Sequence, residues 1–469
     1  MPSSSPPALL QRDRIPRPSP MPFSPPLPAP HITELPWCPP ERLFPLCREG
    51  GASVFLDSGG PAEQERHRWS FLCPRPAGRL TLPLAEMHHL PQHLRAFRAA
   101  HAPAGRPSSP HPPELPFTGG VIGLLSYEAG MAREGLTSRH ATGCPAFTAL
   151  ACRDLFIFDR REQRLWWASA DGTPPPGQPA TTARPDHPGP SLTPVAEQDA
   201  ATWQAAVRIV QEYIAAGDIF QANLTMRWVA PRPETLDLHA LYNQLRTRCP
   251  APFGAWFHTP DFTLLSASVE RFLSLDRQGH IETRPIKGTC PVSDDPQQND
   301  ALKEALHRDE KELAENLMIT DLMRHDIGRV CQLGSVDVPQ LFAVERFAHV
   351  HHLVSSVTGQ LQRDHDATDL LAATIPPGSV TGAPKYRAMQ IIDEVESSAR
   401  GAYCGTLFRL GWDGALDSSV IIRSISATAS QLQVGAGGGI TYPSHPEREY
   451  EEMCLKAAPL LAVLRDHGA

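Results

Sequence analysis

Residues 284–289, Arg-Pro-Ile-Lys-Gly-Thr, hold one amine between a proline-restricted extended segment and a glycine. Proline fixes its own φ and pushes Arg284 toward the β region. Gly288 admits close approach of backbone or ligand. Held this way, Lys287 can serve as a positioned nucleophile or as a point charge. A surface lysine beside a turn would have the same six residues. Carboxylates come in two pairs. Glu312 and Glu315 stand at i and i+3 on a helix read over 309–325. Glu449 and Glu452 repeat that spacing on a helix read over 447–464, with Lys456 one turn further on. Such spacing puts each pair on one helix face. Two pairs could share one Mg2+ through one or two direct oxygens, with waters and substrate filling the octahedron. They could equally be solvated helix faces laced with salt bridges.

Three further groups bear on chemistry. The glycine-rich stretch 434–440 reads as a loop whose backbone N–H groups could meet an anion, or as a tight hairpin turn. It lacks the phasing of a dinucleotide fingerprint. The stretch 378–385 is a turn with glycine and hydroxyl groups that starts a helix. A helix N-terminus attracts carboxylate or phosphate, but an ordinary cap reads the same way. The Walker spacing is absent. His349 and His351 share one face of a strand and His352 points to the other. No further ligands with suitable spacing make a zinc site of them. Arg423 lies inside the apolar run 420–425, which reads as a buried strand. A buried arginine needs a partner, and a substrate carboxylate would supply one.

The elements that must position these groups follow from pattern. Residues 1–35 are rich in Pro and Ser and read as a disordered tail. Residues 36–170 form a mostly β region: 54–60, 69–72 and the glycine-punctuated 117–127 read as strands, and 154–159 with 165–168 as a hairpin. Residues 171–195 form a proline-rich linker. From 196 to 467 the chain is denser. Trp203, Val207, Val210 and Ile214 mark an amphipathic helix stopped by Gly217. A strand at 219–229, a helix at 237–248 and strands at 263–266 and 272–275 lead toward Lys287. Beyond the 309–325 helix come a β stretch at 346–358, a helix at 383–397 and strands at 405–411 and 418–428. Strands and helices alternate without a βαβ rhythm, which predicts an α+β fold.

Bulk properties exclude several classes. Net charge is −8 with no basic stripe, which argues against nucleic acid. No run of about 18 apolar residues predicts a membrane span. No secretory h-region is visible near the N-terminus. The 10 cysteines are dispersed and none forms a C-x-x-C pair, which fits a reducing cytoplasm.

Taken together, residues 285–289, 309–330, 351–359, 377–389, 401–405, 420–425 and 434–456 resemble the chorismate-utilising enzyme family, with weaker echoes at 55–59 and 117–127. The resemblance implies an α+β sandwich of large antiparallel sheets flanked by helices, with N- and C-terminal parts intertwined. Lys287 in P-I-K-G-T matches the aminodeoxychorismate-synthase branch, where anthranilate synthases usually carry alanine. Gln221 stands where water-using members carry a lysine base, which matches the ammonia-using members. The implied roles are these. Lys287 attacks C2 of chorismate as the 4-hydroxyl leaves, and ammonia then enters at C4 and expels it. Glu270 protonates the leaving hydroxyl; the family has proline before it, where this chain has Val269. Glu315 and Glu452 bind Mg2+, with Glu312 and Glu449 holding its waters. Arg423, Tyr403 and the backbone of Gly437 and Gly439 hold the enolpyruvyl carboxylate. Ser379 and His352 line the pocket, His352 orienting the departing hydroxyl. Gly288, Thr289 and Lys456 complete the substrate's surroundings. No G-x-C-x-G elbow is present, so ammonia is expected from a separate glutamine amidotransferase. In relatives the N-terminal β region can hold tryptophan near the segment matching 55–59. The competing expectations are anthranilate synthase component I and a non-catalytic subunit that binds chorismate or tryptophan.

Overall fold

Successive side chains of a strand point to opposite faces, and in this chain both faces are often apolar. Gly120–Leu125 and Phe147–Cys152 are buried at every position. Such strands read as continuous apolar runs because something covers each side. Val54, Ile122, Ile157, Phe257 and Leu264 join one apolar cluster that draws on two sheets. Their strand neighbours Phe55, Val121, Phe156, Trp256 and Leu265 join another, together with Trp203 and Tyr242 of two helices. Layering of sheet on sheet, with helices outside, follows from that alternation.

The computed structural model describes residues 30–48, 51–103, 115–177, 191–293, 295–346 and 350–468. Expectations for residues 1–29, for 178–190 and for His349, and for the side chain of Thr289, lie outside the described residues. Among the described residues the larger sheet has 12 strands and the other 10. Every pairing among the described strands of both sheets is antiparallel, as an α+β fold requires. N- and C-terminal parts are interleaved in each. Ser53–Asp57 pairs with Phe253–Thr259 in the larger sheet. Gly120–Leu125 pairs with Thr406–Gly411 in the other. Helix Ala200–Ala215 buries Trp203, Val207 and Val210, and Gly217 follows it with φ +83°.

Four expectations need correction. His31–Leu35, inside the stretch assigned to the tail, is a strand paired with Arg164–Ser169; a waiting sheet edge orders it, and composition does not show that edge. The β stretch expected at 346–358 is the strand Val350–Gln360, and a second strand, Asp337–Arg346, precedes it and pairs with it antiparallel. The run 418–428 is two strands. Leu416–Val420 belongs to one sheet and Ser424–Ala427 to the other. Both segments are apolar, so hydrophobicity cannot show a change of sheet. Finally, 434–440 is no loop: it is part of the strand Gln431–Ile440, paired along its length with Gln221–Pro231. Glycine there permits close approach rather than a turn.

Candidate active site

Two chain segments cross from one sheet to the other side by side. Phe262–Ser268 ends in the larger sheet, and Arg271–Leu275 begins in the other. Glu270 lies in that crossing. Leu416–Val420 and Ser424–Ala427 make the reverse crossing, and Arg423 lies there with φ +49°. The two crossings touch where Val420 N donates to Glu270 O at 3.1 Å. Arg423 is therefore not the buried strand residue expected from its apolar neighbours. Its side chain is exposed, and no described side chain pairs with it. Its backbone is anchored by Ala267 N, which donates to Arg423 O at 3.0 Å.

Ser379, in the short turn Gly378–Val380, donates to Glu270 Oε1 at 2.6 Å. Burial pushes the Glu270 carboxyl above the usual carboxylate range, opposed by the Ser379 hydrogen bond and the charge of Lys287. The following helix, Lys385–Val395, starts beyond an N-cap at Pro384 with no side-chain cap. Its first turn is held instead by the Lys385–Asp326 ion pair.

Lys287 lies on the strand Ile286–Pro291. The register slips between Lys287, opposite Leu353, and Thr289, opposite His352. The slip is a bulge at Gly288, whose φ is +77°. A Cβ there would lie 3.1 Å from Glu312 Oε2, so glycine lets the helix Glu310–Gly328 come close. Lys287 Nζ stands 3.5 Å from Glu315 Oε2. His352 Nδ1 is 3.4 Å from Gly288 O, and burial, with Arg423 and Arg66 nearby, lowers its proton affinity. The imidazole is thus favoured neutral. His351 is buried, with Nε2 2.8 Å from Asn299 Oδ1, a structural arrangement.

The two carboxylate pairs converge. Glu312 and Glu315 come from Glu310–Gly328, Glu449 and Glu452 from Pro446–Arg465. Lys311 Nζ bridges the helices, 3.3 Å from Glu449 Oε1 and 3.9 Å from Glu315 Oε1. Ser444 donates to Glu449 Oε1 at 2.7 Å. Lys456 lies 2.8 Å from Glu452 and donates to Gly437 O at 3.2 Å. Burial and Glu315 push the Glu312 carboxyl up. Burial acts the same way on Glu452, but Lys456, Lys311 and Lys287 together hold it below the usual range. Among the described residues no three His, Cys, Asp or Glu side chains close on one point. The donor set nevertheless suits a hard cation that keeps much of its water, because carboxylates of two helices already gather around ammonium groups.

The glycine strand forms the opposite wall. Asn223 N donates to Thr381 O, and Thr225 N to Glu396 Oε1. These two amides therefore point away from the ladder. Gly439 and Gly437, directly opposite them, are likewise non-hydrogen-bonded pairs, with N–H and C=O on the outer side. Partnering by Ser424–Ala427 on that side ends at Val434. Gly435, Gly437 and Gly439 share one face. A Cβ on Gly435 would meet the Tyr403 ring, and one on Gly439 would meet Gln221 and lie 3.2 Å from Lys287 Nζ. Gln221 is 1% exposed, and its Oε1 has no described donor. The structure thus brings together Lys287, Gly288, Gln221, Gly437, Gly439, Lys456 and the four glutamates. Glu270 and Ser379 join them through the charge of Lys287, and His352 through Gly288. Tyr403 stands against Gly435, two residues from Gly437 and four from Gly439 along the glycine strand. Arg423 forms no described hydrogen bond or ion pair with the group and reaches it only through its charge at His352.

A cavity of about 590 Å³ lies apart from this cluster. Ile286 and Val269, the neighbours of Lys287 and Glu270, line it with Leu56, Asp57, Ser58 and Arg271. It therefore occupies the other face of the strands that carry the site. Sequence reasoning missed Lys311 and Ser444. The i,i+4 spacing of Lys311 to Glu315 was a usable signal for the first. Nothing in the sequence marks Ser444 as a partner of Glu449.

Residues 56–462 match the chorismate binding enzyme family. Aminodeoxychorismate synthase component 1 of Salmonella typhimurium is 37% identical over 468 residues, 93% of this chain and 99% of that protein. The component 1 of Klebsiella aerogenes is 41% identical over 371 residues, 76% of this chain and 79% of that one. Among solved structures, anthranilate synthase component I from Streptococcus pneumoniae superposes with a TM-score of 0.70 at 27% identity, covering 84% of this chain and 92% of that one.

Proposed function

The chain belongs to the chorismate binding enzymes, and from that premise we propose that it is component I of an aminodeoxychorismate synthase. It converts chorismate and ammonia to 4-amino-4-deoxychorismate on the way to 4-aminobenzoate. The observation that carries this reading is Lys287, an amine held by a bulged strand beside Glu315, Gly439 and Gln221.

Chorismate carries two carboxylates and a 4-hydroxyl on a diene ring. Glu315 and Glu452 would hold Mg2+ directly, with Glu312 and Glu449 on its waters. When bound there it supplies Lewis acidity at the ring carboxylate. Lys287 Nζ forms a bond to C2 while the ring double bond shifts and the C4–O bond breaks. Glu270, whose carboxyl burial biases toward its protonated form, gives its proton to the departing oxygen, which leaves as water. Neutral His352 orients that oxygen. Ammonia then bonds to C4, the double bond returns, and the C2–N bond to Lys287 breaks. Gln221 Oε1, buried without a described donor, would accept from an N–H of the incoming ammonia. Arg423, exposed and unpaired among the described residues, would meet the enolpyruvyl carboxylate with Tyr403 and the outward amides of Gly437 and Gly439. Gly288, Thr289, Ser379 and Lys456 surround the remainder.

The relatives' designation as component 1 supports a partner chain, and a glutamine amidotransferase would supply the ammonia. No helix of the described residues is long and apolar enough to cross a membrane. The 10 cysteines are all unpaired, which supports the cytoplasm as its compartment.

The test is product identity. The chain with chorismate, MgCl2 and ammonium chloride should yield aminodeoxychorismate, which a lyase converts to 4-aminobenzoate. Accumulation of anthranilate with pyruvate would overturn the reading in favour of anthranilate synthase, whose component I shares the fold. K287A should largely abolish amination at C4; an unchanged product and rate would remove Lys287 as nucleophile.

A further inference from the structure

The carboxylate cluster contains a cation of its own. Lys311 is the residue that joins the two acidic helices, reaching Glu449 on one and Glu315 on its own. Each of the other two amines pairs with one glutamate and does not join the two acidic helices. Lys287 is held on its strand with a side chain only 17% exposed. Lys456 pairs with Glu452 of its own helix and with the glycine strand. Lys311 is 41% exposed and sits on a flexible four-carbon stem, so its ammonium can move to water without disturbing the backbone. If it leaves, four carboxylates face only Lys287 and Lys456, an excess of two negative charges that matches one divalent cation.

We propose that Lys311 is a built-in counter-cation: it bridges Glu315 and Glu449 when no metal is bound, and a divalent cation must displace it. Lys311 thereby keeps the two helices together against carboxylate repulsion and sets how tightly the metal binds. This inference rests on the reading of the four glutamates as a Mg2+ site.

The experiment titrates MgCl2 alone, by calorimetry, into the full-length wild type, K311M and K311R, with a thermal melt of each with and without the ion. K311M should bind Mg2+ roughly threefold to tenfold more tightly, as expected for removing a competing ion pair worth about 1 kcal/mol. Its metal-free melting temperature should fall, and added Mg2+ should restore it. K311R keeps the charge and should bind Mg2+ within about twofold of wild type. Mg2+ binding by the wild type with equal or weaker binding by K311M would overturn the role of Lys311 and leave the metal site standing. No Mg2+ binding by the wild type would overturn both. If K311M melts too low for calorimetry, K311R and wild type still decide, because tighter binding by the arginine variant contradicts the competition.

Discussion

At the scale of single residues, the site depends on pairs that set each other's charge. Glu270 is the case with the clearest sign. Burial raises its pKa, while the Ser379 hydroxyl and the Lys287 charge lower it. A carboxyl with a raised pKa keeps its proton to higher pH, and its work as an acid is lost as pH rises through that value. Ser379 donates to the carboxylate form at 2.6 Å. Removing that donor disfavours the ionised form and raises the pKa further. S379A should therefore move the alkaline limb of the kcat/KM profile to higher pH, with a shift of up to about one unit, the worth of one charge-assisted hydrogen bond. A limb that stays or moves down would exclude Glu270 as the proton donor, even if S379A lowers the rate.

At the scale of elements, the glycine strand matters because of what it lacks. A long run of glycine weakens a strand, yet Gln431–Ile440 is paired along its whole length with Gln221–Pro231. Side chains are absent where Tyr403, Gln221 and Lys287 must approach. G439A tests this directly. The added methyl has ordinary backbone torsions to accept it but collides with Gln221 and lies 3.2 Å from Lys287 Nζ. The variant should fold with a melting temperature near that of wild type and lose roughly 10²-fold in kcat, the usual penalty for a displacement of about 1 Å in a reacting group. Full activity would show that the strand does not bound the reaction space. The bulge at Gly288 obeys the same logic on the facing wall, where it admits Glu312.

At the scale of the whole molecule, the C-terminal part of the sequence from residue 196 is not a separable body. Strand Phe253–Thr259 is paired to Ser53–Asp57, and Thr406–Gly411 to Gly120–Leu125. A chain cut to residues 196–469 would expose two long sheet edges and lose most of the apolar cluster that draws on both sheets. Such a fragment should show no cooperative thermal transition by circular dichroism and no chorismate binding; a sigmoidal melt with binding intact would contradict the interleaving. The cavity of about 590 Å³ on the other face of the Lys287 strand has the same origin. It is walled by N- and C-terminal strands together, so anything that fills it presses on Ile286 and Val269, one residue away from Lys287 and Glu270.

Local rules read the helices well. Asp309 caps Glu310–Gly328, and the i,i+3 spacing that placed Glu312 with Glu315 and Glu449 with Glu452 needs only 3.6 residues per turn. The type of amine at 287, and the bulge that Gly288 makes possible, are equally properties of the chain itself. Strands are less legible, because their fate depends on partners far away in sequence. His31–Leu35 became a strand only through Arg164–Ser169, and the run 418–428 hid a passage between sheets. The glycine stretch looked like a loop because the side-chain-free pattern cannot report a ladder. Arg423 looked buried because its neighbours are, yet φ +49° at the crossing turns it outward. The sequence by itself therefore determined which groups exist and how each helix presents them. Only the tertiary structure decided which carboxylates face which amines, since that rests on two helices and two sheets meeting, and Coulomb's law acts on distances that no spacing along the chain records.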